Sequence, residues 1–327
     1  MNKITFKRAC TLATGAAMAA ALSAPAKAAD TVNVAFFLEW ATPNLIAKAE
    51  KAYEEAMGVE LNWVDFEAGT QMTEAMLAGD IDISYSQGLA PFITAVNANA
   101  PIKTVGIAVT YPANPCVVRN GEGIDASNAS ELEGKAVAVP LATMADYSFR
   151  MQMRALGVDL NEITVVDQVP ADGAVSLADG SVAMACLFGG NSIKAALESG
   201  TKLMSDDAMD EAGIVSFDVV SVTEKFAQEN PDLLRTFMEV TDAINAEYAA
   251  DQSKLAVISK EAGMDEETTV NQLSTMGFPS SQEQLDSYFN EGGQASVAIS
   301  IVGDAFATPE NPARDDYSAV VDTSFLK

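Results

Sequence analysis

The sequence predicts an α/β protein built from two doubly wound lobes joined by a hinge. About 300 residues remain after an N-terminal leader, which is too long for one typical domain. Strand-like and helix-like segments alternate over much of this length, as in βαβ units with parallel sheets. A second series of these units begins at Cys116, after a first series has ended. We therefore expect two lobes.

Residues 1–28 are a leader and take no part in the fold. Lys3, Lys7 and Arg8 precede an Ala-rich apolar stretch over 12–22, and Ala26-Lys27-Ala28 has the small-x-small pattern of a cleavage site. The apolar stretch is shorter than the ~20 residues that span a membrane. We expect a mature protein that is exported to the periplasm and begins near residue 29.

The first series of elements starts directly after the leader. Apolar periodicity predicts strands at 32–37, 60–65, 81–85 and 103–109, with helices at 43–57, 72–77 and 91–97. Thr70 stands before the second helical pattern and is a candidate N-cap.

The second series runs from Cys116 to Met204. It contains predicted strands at 117–119, 136–140, 162–167, 182–187 and 202–204, with helices starting near 129, 146, 172 and 192. A strand at 217–222 returns the chain to the first lobe, and the remainder is mostly helical, with Pro231 at the start of a long helix. The predicted lobes are 29–115 with 219–327, and 116–218.

Composition excludes several classes of function. The chain has a net charge of −27, and removal of the leader, which holds four basic and no acidic residues, leaves −31. Such a surface repels nucleic acid and anionic lipid. There is no histidine, which rules out histidine bases, histidine-containing triads and the common zinc sites. We expect no metal and no cofactor.

Two cysteines, Cys116 and Cys186, remain after the leader is removed. An oxidising compartment permits a disulfide between them. Each borders an apolar strand-like run, and the spacing alone does not show that the two meet. Two buried free thiols are the alternative.

Two predicted helices begin near the ends of neighbouring strands, where open α/β sheets bind ligands. The first follows Gly69-Thr70-Gln71 and the second follows Ser86-Gln87-Gly88. Helix N-termini present unpaired N–H groups that attract anions. The alternative is an ordinary βαβα segment with well-formed caps.

Further candidate binding residues follow other predicted strands. The polar candidates each have a purely structural alternative: Glu39 as a solvated carboxylate, Trp40 as a packed ring, Asp146 as a helix cap, and Asp218 as a carboxylate paired with Lys, Arg or amides. Asp218 interrupts an apolar run, so its burial without a partner is costly. An ammonium group would relieve that cost, and Glu39 beside Trp40 is a second place where a cation would bind. The remaining candidates are Thr143, Tyr147 and Phe188.

The fragment G-T-Q-M-T-E-A-M-L-A-G-D-I-D-I-S-Y-S-Q-G-L-A-P resembles substrate-binding proteins of the nitrate/sulfonate/taurine ABC-transporter family, and within it the taurine-binding members. The resemblance continues over 132–140, 147–148, 217–220 and 316–318. It implies a type II periplasmic binding protein fold. It also implies a sulfonate at 69–71 and 86–88, a closing loop over 141–148, and an amine at Asp218, with Glu39 or Asp146 as further candidates.

The function that this resemblance implies is transport rather than catalysis. The expected partners are a small zwitterionic sulfonate such as taurine and an ABC permease at the inner membrane, and we expect a monomer. The alternatives are a binder of an alkanesulfonate, nitrate or a pyrimidine thiamine precursor, or an exported enzyme on the same scaffold. Met144 and Asp146 depart from the family's usual Ser/Thr/His content, and Gly189-Gly190 replaces a more rigid pair.

Overall fold

The structure, a computed structural model, describes residues 29–214 and 216–326. The predicted leader therefore lies outside the described residues. Within the described ranges, no helix is both long enough and apolar enough to cross a membrane.

Strands and helices alternate through the first two thirds of the chain, and the last third is helical. The strands are β1 Thr31–Phe37, β2 Glu60–Phe66, β3 Ile83–Gly88, β4 Ile102–Thr110, β5 Cys116–Arg119, β6 Ala136–Val139, β7 Thr164–Asp167, β8 Met184–Cys186, β9 Gly200–Lys202 and β10 Phe217–Thr223. The helices are α1 Asn44–Glu50, α2 Ala52–Met57, α3 Gly69–Ala78, α4 Leu89–Asn97, α5 Met144–Leu156, α6 Pro170–Asp179, α7 Gly190–Ser199, α8 Asp206–Glu211, α9 Glu224–Glu229, α10 Pro231–Ala250, α11 Leu255–Ala262, α12 Glu266–Leu273, the short α13 Ser281–Glu283 and α14 Gln294–Ala305.

The strands form two five-stranded sheets, in the orders β2-β1-β3-β10-β4 and β7-β6-β8-β5-β9. The predicted α/β class with two sheets is confirmed, but the expectation of parallel sheets is wrong in part. Strand β10 is antiparallel to β3 and β4, and β5 is antiparallel to β8 and β9. Each reversed strand lies where the chain passes between the sheets, so it enters its sheet from the opposite end. The exact lobe limits stay a prediction, although β10 already begins at Phe217.

Local chemistry explains three further differences from the predicted elements. The helix predicted over 43–57 is split because Lys51 adopts a left-handed φ of 58° and ends α1. Ala68, not Thr70, is the N-cap of α3, so the predicted cap is wrong and Thr70 lies in the first turn. The segment Ala129–Leu132 forms only a 3₁₀ turn.

The core follows the two sheets. One large buried apolar cluster joins the first sheet to the C-terminal helices, and two smaller clusters cover the two faces of the second sheet. Met144 and Tyr147, at the start of α5, belong to the large cluster and so pack the second unit against the first. This contact brings the carboxyl ends of strands from both sheets to one cleft.

A disulfide joins Cys116 to Cys186, which answers the question that the sequence left open. The two cysteines are directly opposite each other on antiparallel strands β5 and β8. Asn114, two residues before Cys116, and Phe188, two residues after Cys186, lie just outside these strands, and both line the cleft.

Candidate ligand-binding site

The cleft between the two sheets contains a small cavity of about 30 Å³. Its walls come from segments that follow β1, β2, β3, β4, β6 and β8, together with the first turns of α4 and α5 and the start of β10. The lining residues are Phe37, Trp40, Gly69, Gly88, Pro91, Tyr111, Asn114, Thr143, Met144, Phe188 and Asp218. Except for β10, which runs the opposite way, these strands present their carboxyl ends. This is the position where open α/β sheets bind ligands.

Asp218 supplies the only charged side chain in the cavity wall as the structure describes it. It lies near the start of β10, is 3% exposed, and accepts hydrogen bonds from Tyr111 Oη at 2.6 Å and Ser86 Oγ at 2.8 Å. Burial raises the pKa of its carboxyl to about 7, although the two hydrogen bonds act in the opposite direction. No lysine or arginine lines the cavity within the described ranges, so the carboxylate has hydroxyl partners and no cationic one.

Trp40 and Ser86 form a second layer of support for this carboxylate. The indole Nε1–H of Trp40 donates to Ser86 Oγ at 2.9 Å, which leaves the Ser86 hydroxyl proton for Asp218. The Trp40 ring also contacts the ring of Tyr111 edge-on, with centroids 4.9 Å apart. The side chains of Trp40 and Tyr111 thus support the carboxylate and line the cavity. Phe37 and Phe188 add two further rings to the wall, with centroids 6.0 Å apart.

The N-terminus of α3 reaches the cavity through its backbone. Gly69 lines the wall, and a Cβ at this position would lie only 2.6 Å from Pro91 Cγ, so no larger residue fits without displacement. The amide N–H groups of Gly69 and Thr70 make no hydrogen bond to other described residues. They are therefore available to an acceptor. The side chain of Gln71 points elsewhere and accepts from the Glu67 amide.

Gln87 lies below the cavity and does not line it. Its fully buried side chain donates to the Gly69 carbonyl and to Thr73, and it accepts a short hydrogen bond from Ser221. The network ties the start of α3 to β3 and β10. Gln87 is thus placed to hold the backbone of Gly69 in position.

The N-terminus of α4 is occupied by Met144 from the other side of the cleft. The Met144 thioether accepts from the amide of Ala90 at 3.2 Å, and its Cγ lies 3.1 Å from the point where a Cβ on Gly88 would be. Gly88 lines the cavity only beside this side chain. The two helix starts predicted to bind an anion therefore differ, because one is open and the other is closed by sulfur.

Two other predicted binding residues, Glu39 and Asp146, lie outside the cavity. Glu39, with a left-handed φ of 57°, crosses the cleft and accepts from both the amide and the hydroxyl of Ser192 at 3.1 Å. Asp146 accepts from Arg150 at 2.7 Å and from the Ala142 amide. The N-cap of α5 is Thr143, so the prediction of Asp146 as the cap is wrong.

The predicted binding residues fall into two groups, inside and outside the cavity wall. Those that line the cavity are Trp40, Gly69, Gly88, Thr143, Phe188 and Asp218, whereas Glu39, Thr70, Gln71, Ser86, Gln87, Asp146 and Tyr147 do not. Tyr147 is instead buried in the core. The cavity is also lined by five residues that were not predicted: Phe37, Pro91, Tyr111, Asn114 and Met144. Phe37 and Tyr111 follow predicted strands at the ligand-facing edge, and that position was the signal available for finding them.

A larger cavity of about 580 Å³ lies beside the small one. Trp40, Tyr111 and Asn114 line both cavities, so they form a shared wall. The outer parts come from α7 and α12, and Lys194 bridges these two helices by pairing with Asp265 at 2.9 Å. This volume falls in the range typical of small-molecule pockets.

Comparison with known proteins agrees with this geometry. Residues 41–254 match the family model described as NMT1/THI5 like. The chain belongs to that family. It is 24% identical over 229 residues to the taurine-binding periplasmic protein of Escherichia coli K12. The matched region covers 70% of this chain and 69% of that protein.

Solved structures show the same fold. The alkanesulfonate-binding protein SsuA from Xanthomonas axonopodis pv. citri, solved with MOPS, has a TM-score of 0.72 at 18% identity and covers 90% of this chain and 99% of its own. The desulfurization enzyme DSZB reaches a TM-score of 0.60 at 14% identity, over 91% of this chain and 98% of its own. The periplasmic-binding-protein fold is therefore confirmed. At this level of identity, the shared fold does not identify the ligand or the activity.

Proposed function

We propose that this family member is the substrate-binding component of an ABC importer and that it captures taurine or a close aminosulfonate. It would act in the periplasm as a monomer of two lobes and deliver the ligand to a permease at the inner membrane. Support comes from the family, from the similarity to a taurine-binding protein, and from the buried carboxyl group of Asp218 beside helix N–H groups at the small cavity. We further propose that the hinge between the lobes lies at the predicted lobe limits, near 115–116 and 218–219.

Asp218 is the observation that carries the proposal. A carboxylate that is buried at the edge of a cavity without a cationic partner is costly, and a ligand ammonium group supplies that partner. The rings of Trp40 and Tyr111 add cation–π attraction at the same point. Glu39 and Asp146 already have partners in Ser192 and Arg150, so the geometry favours Asp218 among the three carboxylates.

The sulfonate group, at the end of the ligand opposite the ammonium group, would bind to backbone amides. The free N–H groups of Gly69 and Thr70 lie at the positive end of the α3 dipole. Because the surface of the chain is strongly acidic, short-range amide donors are better suited to this task than long-range attraction. A zwitterion satisfies both ends at once, whereas nitrate has no group for Asp218.

The test compares three ligands that differ only in their charged ends. Taurine should raise the melting temperature of the mature protein more than ethanesulfonate or ethanolamine at equal concentration, because each of these supplies one end only. Calorimetry on the same ligands gives the affinities. Equal affinity for ethanesulfonate and taurine would contradict the zwitterion proposal.

A flat aminopyrimidine, as in a thiamine precursor, is the second candidate. The specific observation in its favour is that four aromatic side chains line the small cavity, Phe37, Trp40, Tyr111 and Phe188. Rings stack on rings, and Asp218 would accept from the amino group. Inclusion of 4-amino-5-hydroxymethyl-2-methylpyrimidine in the same thermal-shift series distinguishes the two, and turnover of any ligand would reveal an enzyme.

A further inference from the structure

The start of α4 has an unusual partner. The amide of Ala90, in its first turn, donates to the sulfur of Met144 at 3.2 Å. A thioether is a weak acceptor compared with a sulfonate or carboxylate oxygen. The positive end of the nine-residue helix α4 is therefore satisfied by a poor substitute for an anion.

The small cavity has no space for a ligand in this arrangement. A volume of about 30 Å³ holds roughly one water molecule. A taurine-sized ligand enters only if part of the wall moves. The identity of the moving part decides which groups the ligand contacts.

Most of the wall is held by contacts that are difficult to break. Trp40 donates to Ser86, Tyr111 donates to the buried carboxylate, and Pro91 and Gly88 belong to the backbone at α4. Met144 differs, because within the described residues its only polar contact is the weak bond from Ala90. Its unbranched side chain has several rotatable bonds and adapts readily to a new shape.

A second donor faces the same cavity. Asn114 is 3% exposed, and its backbone carbonyl is fixed by hydrogen bonds from Ser148 and Gln152. Its Nδ2 lies beside the Tyr111 hydroxyl but makes no hydrogen bond of acceptable geometry with the described residues. A buried N–H group without a partner is costly, and an acceptor placed in the cavity would relieve that cost.

We propose that Met144 is a plug that the anionic end of the ligand displaces, so that ligand oxygens replace its sulfur at the Ala90 amide and reach Asn114. Met144 then determines specificity, since only ligands with a strong acceptor at that end remove it. This inference rests on the proposed function for the identity of the ligand. It adds a second anion-binding contact to the one at α3.

The experiment has two readouts. In wild-type protein labelled with ¹³C at methionine methyl groups, saturating taurine should shift the Met144 resonance, while that of Met153, which is buried on the same helix and away from the cavity, stays in place. In Met144→Ala, ethanesulfonate should bind about tenfold more tightly than in wild type, because no plug has to move. Met153→Leu is the matched control and should leave the affinity unchanged.

The outcomes separate the inference from the proposed function. If taurine binds but the Met144 resonance stays in place, or Met144→Ala gains no affinity for ethanesulfonate, the plug is overturned and the function stands. If wild type binds no taurine, the proposed function is wrong. In that case the affinity of Met144→Ala for ethanesulfonate, compared with that of wild type, is the remaining test of the plug. If no sulfonate binds either protein, both are overturned.

Discussion

The ionisation of Asp218 should control ligand affinity through pH. Its pKa of about 7 in the ligand-free protein means that the carboxyl is mostly protonated at pH 5 and mostly ionised at pH 8. An ammonium group binds the ionised form. The affinity for taurine should therefore rise with pH and level off above about pH 7.

The size of the effect follows from the ionised fraction. That fraction grows from about 1% at pH 5 to about 90% at pH 8 when the pKa is about 7. We expect taurine affinity to increase by about 90-fold over this range, which is about 2.7 kcal/mol. Ethanesulfonate has no ammonium group, so its affinity should stay level or fall over the same range.

The assay is calorimetry on taurine between pH 5 and 8, with Asp218→Asn as the comparison. Asparagine keeps the acceptor that faces Tyr111, so the variant should fold. It should bind taurine about 10²–10³-fold more weakly above pH 7 and show no pH dependence, because a desolvated charge pair is lost. A flat pH profile in wild type, or normal binding by the variant, would refute the role of Asp218.

Stability gives an independent check of the same pKa. In the unfolded chain the carboxyl has its ordinary pKa near 3.8, and in the folded protein about 7, so the folded form holds the proton between these values. The stability due to this proton is fully present below pH 3.8 and is lost as the pH rises to about 7, by up to roughly 4 kcal/mol. Ligand-free Asp218→Asn should lose less stability than wild type over this range in urea denaturation.

Three further predictions concern the anion site, the disulfide and the contact across the cleft. Thr70→Pro should weaken taurine binding more than tenfold, whereas Thr70→Ser should change it little, because proline is tolerated in a first helical turn but removes the N–H donor. Arg119→Gln and Arg150→Gln are the controls, since both arginines pair with carboxylates outside the cavity. Loss of taurine binding in either arginine variant would favour an arginine as the anion site. The double variant Cys116→Ala, Cys186→Ala should lower the free energy of unfolding by about 4 kcal/mol in denaturant titrations, as expected for a disulfide that spans 70 residues. An unchanged denaturation midpoint would contradict a stabilising role of the disulfide. Glu39→Gln should speed taurine dissociation about tenfold in stopped-flow measurements, because Glu39 caps α7 from the opposite side of the cleft. Glu50→Gln, on the surface, is the control. Equal dissociation rates in the two variants would exclude a role of Glu39 in holding the cleft closed.

Periodicity and composition were enough to predict the α/β class, and they place the candidate site at the ligand-facing edge of the sheet. Alternating periodicities gave the strands and helices, because side-chain burial repeats every two residues in a strand and every 3.6 in a helix. Asp218 was identifiable for the same reason: a lone carboxylate within an apolar run has to be buried, and burial of a charge requires a partner.

The choice of side chains that face the cavity depends on contacts between elements far apart in the sequence. Glu39, Asp146 and Gln87 are predicted site residues, yet each is directed to a partner distant in sequence or one turn away: Ser192, Arg150 and Ser221. Tyr111, Asn114 and Met144 reach the cavity because two sheets meet across the cleft, and local periodicity carries no information about that meeting. The reversed direction of β10 and the pairing of Cys116 with Cys186 follow from strand order, which is set by the packing of elements far apart along the chain.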